Sequence, residues 1–295
     1  MTLELRPLHI AVIVGVMAIW GLNFAVAKIG LQQLPPILMV ALRFGLVALL
    51  LGPFAKPPSG RWRPVFLISV TLGLLHFSLM FTGLSGIDAA TAAIAIQLQV
   101  PFAALLAAIF FKDMIGWRRA LGMAIAFGGV MLIAGEPRLE GRYFSLALVV
   151  LAACIWSVAN IQIKLLGEID GMTLNAWVAI FATPQLLLAS LALEGGQLEA
   201  LAAADWRAYA SVVYQSVLVY GLGYGAWYRM IGRYRVNQTM PFILLVPVFA
   251  VISGMLFLGE TLTATLVAGG LLTVAGVGII VLRRPRVAAP EVERV

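Results

Sequence analysis

The sequence predicts an all-α membrane protein with ten transmembrane helices in two inverted five-helix repeats. Three observations predict this fold class. Of the 295 residues, 62 % are hydrophobic and 11 % are charged, whereas soluble domains average roughly 45–50 % apolar and about 25 % charged residues. Apolar runs of about 20 residues, long enough to cross a bilayer, recur along the whole chain. Short residue patterns of the first half also recur in the second half.

Ten apolar runs predict ten helices joined by short connections. The runs are continuous and about twice the length of a barrel strand, which favours helices over a transmembrane β-barrel. The connection 194–206 is the longest, and it is either a short interfacial helix or a plain loop. The predicted helices cover residues 8–29, 35–55, 64–85, 89–111, 116–135, 145–166, 172–193, 207–232, 236–258 and 263–282.

Basic residues are concentrated on one side of the predicted helices. If the N-terminus is cytoplasmic, fifteen of the twenty Lys and Arg residues fall on that side and four on the other, with Arg43 inside the second run. This asymmetry follows the positive-inside rule. We therefore expect a multi-pass protein of the bacterial inner (plasma) membrane with both termini in the cytoplasm. The net charge of +7 reflects this topology and does not indicate nucleic-acid binding.

The two halves share an ordered series of patterns, which predicts repeats over residues 1–136 and 137–295. Because each repeat has five helices, an odd number, the second repeat enters the membrane from the opposite side. Inverted repeats provide the two mirror-related arrangements that alternating access needs, so a transporter is the leading interpretation. The recurring patterns are Ile19-Trp20 with Lys28, repeated as Ile155-Trp156 with Lys164, and Val100-Pro101, repeated as Val246-Pro247.

Further patterns resemble a known family. They are Trp20-Gly21-Leu22-Asn23-Phe24, Leu34-Pro35-Pro36 leading to Arg43-Phe44, and Gly86 to Phe111 followed by a Gly-rich fifth helix. Over nearly the whole chain the sequence resembles EamA-type members of the drug/metabolite transporter superfamily, and most of all bacterial exporters of aromatic and other neutral amino acids. The resemblance implies ten helices around a central cavity. The chain departs from the common pattern at Lys112-Asp113, where many members have Gly-Glu.

Polar and aromatic residues near helix centres are the candidates for substrate binding. Polar groups at that depth cost free energy unless they face protein or a water-filled cavity. They would offer amide and aromatic contacts to a zwitterion with an apolar side chain; alternatively, they only pack the helices together. The predicted substrate-binding residues are Trp20, Asn23, His76, Gln97, Gln99, Trp156, Asn160, Tyr214, Tyr220 and Tyr224.

Five residues are candidates for gates or hinges. Lys28 and Lys164 occupy equivalent positions in the repeats and are either snorkelling cations or a symmetric pair of gates. Arg43 lies near the membrane midplane, where it either anchors the bundle or acts on a substrate carboxylate or a gate. Pro101 and Pro247 each remove a backbone hydrogen bond inside a helix, which predicts two hinges.

The composition argues against several chemistries. One cysteine and two histidines predict neither a disulfide framework nor a metal site, and we expect no cofactor and no catalytic residues. All thirteen acidic residues fall in predicted loops, tails or helix ends, so none is placed to relay protons or sodium. We expect a monomeric or homodimeric facilitator in the lipid bilayer that exports aromatic or neutral amino acids, or similar small metabolites. The alternative is a proton-coupled exporter of other metabolites or cationic drugs.

Overall fold

The structure, a computed structural model, describes residues 5–111, 115–234 and 236–282. Every regular element within these ranges is helical. Lys112 and Asp113, where the sequence departs from the family pattern, lie outside the described residues. The helices are α1 Pro7–Leu31, α2 Pro36–Phe54, α3 Trp62–Gly86, α4 Ala89–Phe111, α5 Trp117–Ala134, α6 Tyr143–Leu166, α7 Gly171–Leu193, α8 Gln197–Ala203, α9 residues 206–233, α10 Met240–Leu258 and α11 Ala264–Val281.

Within the described ranges, nine helices are long and apolar enough to cross a membrane. Helix α8 is too short, and α9 is long enough but is not among the nine. At roughly 1.5 Å per residue, α9 exceeds the ~30 Å of a hydrocarbon core, but it contains more polar residues, among them the buried Gln215 and Ser216. With α9 included, the long helices match the ten predicted runs. The long connection contains the short helix α8, which was one of its two predicted forms.

The outer surface of the bundle is apolar. Leu49, Met131, Leu188 and Leu256 lie on four different helices and are between 68 % and 75 % exposed. Soluble monomers rarely expose apolar side chains on this scale, whereas lipid solvates them. The chain is therefore a multi-pass membrane protein, and its backbone polar groups are satisfied within helices, as the hydrocarbon region requires.

Helix starts and ends follow local sequence signals. Proline occupies the first turn of α1 and α2, where the missing N–H costs nothing. The carboxylates of Asp170 and Asp205 cap α7 and α9 by accepting hydrogen bonds from backbone N–H groups. Helix α10 ends at Gly259, whose φ of 65° is in the left-handed region that favours glycine.

Helices α5 and α11 pack with their backbones in contact. A Cβ on Gly129 would lie 2.5 Å from the carbonyl oxygen of Gly269, and a Cβ on Gly276 would lie 2.5 Å from that of Gly122. Such distances leave no room for a side chain, so only glycine permits this approach. The Gly-rich fifth helix of each half therefore packs against its counterpart.

Antiparallel helices give the bundle two ends. The first end contains the start of α1, where His9 Nδ1 lies 2.6 Å from the hydroxyl of Tyr234. The second end contains the end of α1, where Gln33 donates a 2.9 Å hydrogen bond to Asp205. The positive-inside rule predicts that the first end is cytoplasmic.

Two π-helical segments occupy corresponding helices of the two halves. They are Ser69–His76 in α3 and Tyr214–Tyr224 in α9. π-helical turns are rare in proteins overall, and many of those that occur lie at functional sites. Both segments contribute residues to the centre of the bundle.

Candidate functional site

A central cavity of about 830 Å³ lies among α1, α2, α3, α4, α6, α9, α10 and α11. Cavities of roughly 300–1,000 Å³ with mostly apolar walls are typical of small-molecule sites. The cavity extends toward the first end of the bundle, because Ile163, Tyr228, Met240 and Val281 line it at that end of their helices. Eight predicted substrate-binding residues line the cavity: Trp20, Asn23, His76, Gln97, Gln99, Trp156, Asn160 and Tyr224.

Two predicted substrate-binding residues do not line the cavity. The hydroxyl of Tyr214 donates a 2.8 Å hydrogen bond to the carbonyl of Ile19 and so ties α9 to α1. Tyr220 is buried with its ring 5.7 Å from that of Phe44. Its ring also lies 5.1 Å from that of Tyr224. Tyr220 therefore packs between Phe44 of α2 and Tyr224, which itself lines the cavity.

Aromatic rings of α1 and α9 form one wall of the cavity. The ring of Trp20 lies 5.0 Å from that of Tyr224 and 5.7 Å from that of Trp227. A Cβ on Gly223 would lie 2.7 Å from Trp20 Nε1, so the indole is seated directly against α9. Trp227 and Tyr228 were not among the predicted substrate-binding residues, although they continue the aromatic series of α9 and both line the cavity.

His76 is fixed in orientation by one backbone hydrogen bond. Its Nδ1 lies 2.9 Å from the carbonyl oxygen of Ala152, and a carbonyl can only accept, so Nδ1 carries the proton. In the neutral ring, Nε2 is then a hydrogen-bond acceptor. The ring also lies 5.2 Å from that of Trp156, which joins α3 to α6 beside the cavity.

Arg43 is a buried cation surrounded by aromatic rings. Its Cζ lies 4.3 Å from the ring centroid of Phe77 and 4.8 Å from that of Tyr220, which are distances typical of cation–π contacts. Its Nη1 donates a 3.3 Å hydrogen bond to Gln215. Among the described residues no carboxylate forms an ion pair with Arg43, and its Nε has no hydrogen-bond partner.

Several cavity residues hold buried polar atoms that lack a hydrogen-bond partner in the part of the chain that the structure describes. Buried polar atoms in proteins nearly always have a partner. Four such unpartnered atoms belong to residues that line the cavity, and these residues can offer polar contacts to a ligand. The four atoms are Trp20 Nε1, Asn23 Oδ1, Arg43 Nε and Gln97 Nε2.

The second end of the bundle is closed by a carboxylate that sequence analysis treated only as a helix end. The two oxygens of Glu260 accept hydrogen bonds from the backbone N–H groups of Ala89, at 2.6 Å, and Ala90, at 3.0 Å. Because these groups form the start of α4, Glu260 caps that helix from the opposite half of the chain. We call this contact the Glu260 clamp. Burial raises the pKa of the Glu260 carboxyl above its ordinary value.

Lys28 and Lys164 lie at opposite ends of the bundle and have different contacts. Lys28 Nζ donates hydrogen bonds to the carbonyls of Leu84, at 2.8 Å, and Ile87, at 2.5 Å, and so caps the end of α3. Lys164 Nζ instead lies 3.7 Å from the ring centroid of Phe111. Equivalent residues therefore make different contacts at the two ends, in keeping with a cavity that extends toward the first end only.

The two predicted hinge prolines have matching surroundings. Pro101 and Pro247 each follow a short 3₁₀ segment and occupy the third position of the α-helix that continues from it. Proline has no N–H to donate to the carbonyl four residues earlier. Those carbonyls belong to Gln97 and Ile243, and both residues line the cavity.

Comparisons with known proteins agree with this arrangement. The sequence profile of the EamA-like transporter family matches residues 8–135 and 143–282. The chain is 33 % identical over 274 residues to the probable amino-acid metabolite efflux pump of Salmonella typhimurium, covering 90 % of this chain and 91 % of that protein. It is 30 % identical over 274 residues to the protein of the same name in Escherichia coli, with the same coverage.

Two more distant proteins are also similar. The probable terminal-alkyne amino-acid exporter of Streptantibioticus cattleyicolor is 29 % identical over 262 residues, covering 88 % of this chain and 84 % of that protein. A crystal structure of a protein with 15 % sequence identity has a TM-score of 0.63 and covers 92 % of this chain and 95 % of its own. At that identity the second likeness concerns the fold.

Proposed function

Because the chain belongs to the EamA-like transporter family, we propose that it exports aromatic or neutral amino acids, or similar small metabolites, across the bacterial inner membrane. The observation that carries this proposal is the central cavity, whose walls combine aromatic rings with a few polar groups. Such walls suit a small zwitterion with an apolar side chain. The names of the relatives from Salmonella and Escherichia support the amino-acid class.

The proposed mechanism is alternating access between two inverted repeats, residues 1–136 and 137–295. The cavity extends toward the first end, while the Glu260 clamp and Lys28 hold the second end together. This asymmetry suits a state that is open to the cytoplasm and closed to the outside, with both termini cytoplasmic. Release on the outside then requires the second end to separate and the first end to close.

Pro101 and Pro247 are the proposed hinges of this motion. Each lies between a 3₁₀ segment and an α-helical segment, where the regular hydrogen-bond ladder is interrupted. Bending there changes the position of Gln97 or Ile243 in the cavity wall without unfolding either helix. The motion therefore couples the substrate site to the two ends.

We further propose that transport follows the substrate gradient without a coupled ion. Each described carboxylate lies outside the membrane helices, so the described part of these helices offers no carboxylate relay. His76 is the titratable group beside the cavity that a coupled mechanism would use. Its Nδ1 proton is donated to Ala152, which suits a positioning role.

Uptake of radiolabelled phenylalanine into proteoliposomes, with and without an imposed pH gradient, tests this function. We expect saturable uptake that other aromatic or neutral amino acids inhibit and that the gradient does not change. Gradient-driven uptake that is lost in His76→Ala would show a proton-coupled exporter instead. Uptake of organic cations without any uptake of amino acids would replace the proposed substrate class.

A further inference from the structure

Arg43 lies in the cavity wall with an incomplete set of partners. It is 2 % exposed, and burying a cation at this depth is costly unless charge or hydrogen bonds compensate for the lost water. Aromatic faces, the amide oxygen of Gln215 and the hydroxyl of Tyr220 provide part of this compensation. The described residues provide no negative charge for it.

Arg43 can act on a ligand only as a positive charge and a hydrogen-bond donor. A guanidinium N–H can only donate, and ring faces do not replace an acceptor in the plane of the group. A carboxylate supplies a negative charge and acceptor oxygens, and it pairs with guanidinium groups through parallel hydrogen bonds. Gln97, which also lines the cavity, has a side-chain nitrogen without a hydrogen-bond partner among the described residues.

The cavity offers fewer favourable contacts to an ammonium group than to a carboxylate. Arg43 is its one charged lining residue, and the lining includes no Asp or Glu among the described residues. The remaining acceptors are neutral, such as Asn23 Oδ1 and the Nε2 of His76, and the aromatic faces supply no full negative charge. The positive charge of Arg43 thus favours the carboxylate of a zwitterion over its ammonium group.

We propose that the cavity recognises its substrate through the carboxylate rather than the amino group, with Arg43 as the carboxylate-binding residue. The substrate class is then monocarboxylates with an apolar or aromatic side chain, which includes amino acids and also acids that lack a free amino group. This inference rests on the proposed function for the location of the substrate site. It extends that function to compounds that an amino-acid exporter would otherwise reject.

Three probes that differ by one group each test the inference. Phenylalanine carries both charged groups, 3-phenylpropionate lacks the amino group, and 2-phenylethylamine lacks the carboxylate. Binding to the purified full chain is measured by titration calorimetry, together with competition against phenylalanine uptake in proteoliposomes. We expect 3-phenylpropionate to bind within about tenfold of phenylalanine and 2-phenylethylamine to bind about 100-fold more weakly, the effect of losing a charge-assisted hydrogen bond.

Variants of Arg43 assign the effect to one residue. Arg43→Gln should abolish the binding of 3-phenylpropionate, and Arg43→Lys should restore part of it because the charge remains without the planar donors. Arg207→Gln is the matched control, since Arg207 is an exposed cation beside the ring of Trp206, away from the cavity. Thermal unfolding shows whether each variant is folded. If Arg43→Gln is not folded, Arg43→Lys replaces it in the binding measurement.

The outcomes separate this inference from the proposed function. If phenylalanine is transported but 2-phenylethylamine competes as well as 3-phenylpropionate, the carboxylate inference is wrong and amino-acid transport stands. Unchanged binding of 3-phenylpropionate in folded Arg43→Gln also overturns the inference. If 3-phenylpropionate binds through Arg43 but phenylalanine is not transported, the carboxylate site stands and the proposed amino-acid export is wrong.

Discussion

One carboxylate oxygen of Glu260 accepts a 2.6 Å hydrogen bond from the backbone N–H of Ala89, a residue 171 positions earlier in the chain. The bond joins the end of α10 to the start of α4, and these helices also contain Pro101 and Pro247, the two proposed hinges. The N–H groups at the start of a helix lack an intrahelical acceptor, so the two oxygens of Glu260 stabilise the contact by accepting hydrogen bonds from them. The second end of the bundle is thus closed by a contact that can open without breaking a helix.

Replacing Glu260 by alanine should open the second end. In the closed state the variant leaves two buried N–H groups without an acceptor, each at a cost of about 1–3 kcal/mol, whereas water satisfies them when this end is open. The probe is Ala93→Cys in a Cys154→Ser background, because Ala93 is buried in α4 one turn after the clamp. Its labelling by a membrane-impermeant thiol reagent should become at least about 30-fold faster in Glu260→Ala.

Glu199→Ala is the control for this experiment. Glu199 lies on α8 at the same end of the bundle, where it is exposed. Removing it changes the local charge by the same amount but removes no hydrogen bond to α4. Equal labelling rates in both variants would show that the clamp does not hold this end closed.

Acidification should favour the closed second end. Burial, which is the largest cause, and the charge of Asp88 raise the pKa of Glu260 above its ordinary 4.5, while the N–H groups of Ala90 and Ala89 and the charge of Lys28 lower it. The closed state therefore binds a proton more tightly than an open state in which Glu260 meets water. This extra stability is complete below about pH 4.5 and is lost as the pH rises through the raised pKa.

The same cysteine probe measures this pH dependence. Labelling of Ala93→Cys, divided by that of an exposed Ser85→Cys at each pH, should fall as the pH falls. In Glu260→Ala the ratio should not depend on pH. If the labelling ratio rises on acidification while Glu260 is present, protonation favours the open second end and this prediction is wrong.

Gly129→Ala should destabilise the packing of α5 against α11. The added methyl would meet the carbonyl oxygen of Gly269 at 2.5 Å and the backbone nitrogen of Thr273 at 2.7 Å, so the helices must separate, at a cost of about 1–3 kcal/mol. Thermal unfolding in detergent measures the loss. Gly128→Ala is the matched control, because nothing lies within 4 Å of its added Cβ. Equal stability of the two variants would contradict this packing.

Gly223→Ala should displace Trp20 from the cavity wall. The added Cβ would lie 2.7 Å from Trp20 Nε1 and 3.2 Å from the carbonyl oxygen of Leu218. We expect at least a tenfold weaker apparent affinity for phenylalanine, which corresponds to about 1.4 kcal/mol. Gly225→Ala has open space around its added Cβ and should keep the wild-type affinity. Wild-type uptake in Gly223→Ala would show that Trp20 does not bind the substrate.

Local patterns predicted most of the fold and much of the candidate site. Apolar runs give helix positions directly because the thickness of the hydrocarbon core sets their length. The repeated Val-Pro pair indicated where the backbone hydrogen bonds of α4 and α10 are interrupted, because a proline removes a hydrogen bond from the helix that contains it. Central polar and aromatic residues indicated eight of the residues that line the cavity.

Contacts between distant segments were not predictable from one sequence. The rings around Arg43 come from α2, α3 and α9, and no local pattern pairs them. The partner of Glu260 lies in the other half of the chain, so the residue was interpreted only as a helix end. The contacts that place Tyr220 behind the cavity wall, with Phe44 and Arg43 of α2, also join separate helices.

Counterflow in proteoliposomes distinguishes alternating access from a channel. Vesicles loaded with unlabelled phenylalanine are diluted into a trace of labelled phenylalanine without any pH gradient. Alternating access should give a transient accumulation of label that saturates, exceeds that of unloaded vesicles and is inhibited by other neutral amino acids. Label that only equilibrates, at a rate proportional to concentration and independent of internal phenylalanine, would indicate a channel and rule out alternating access.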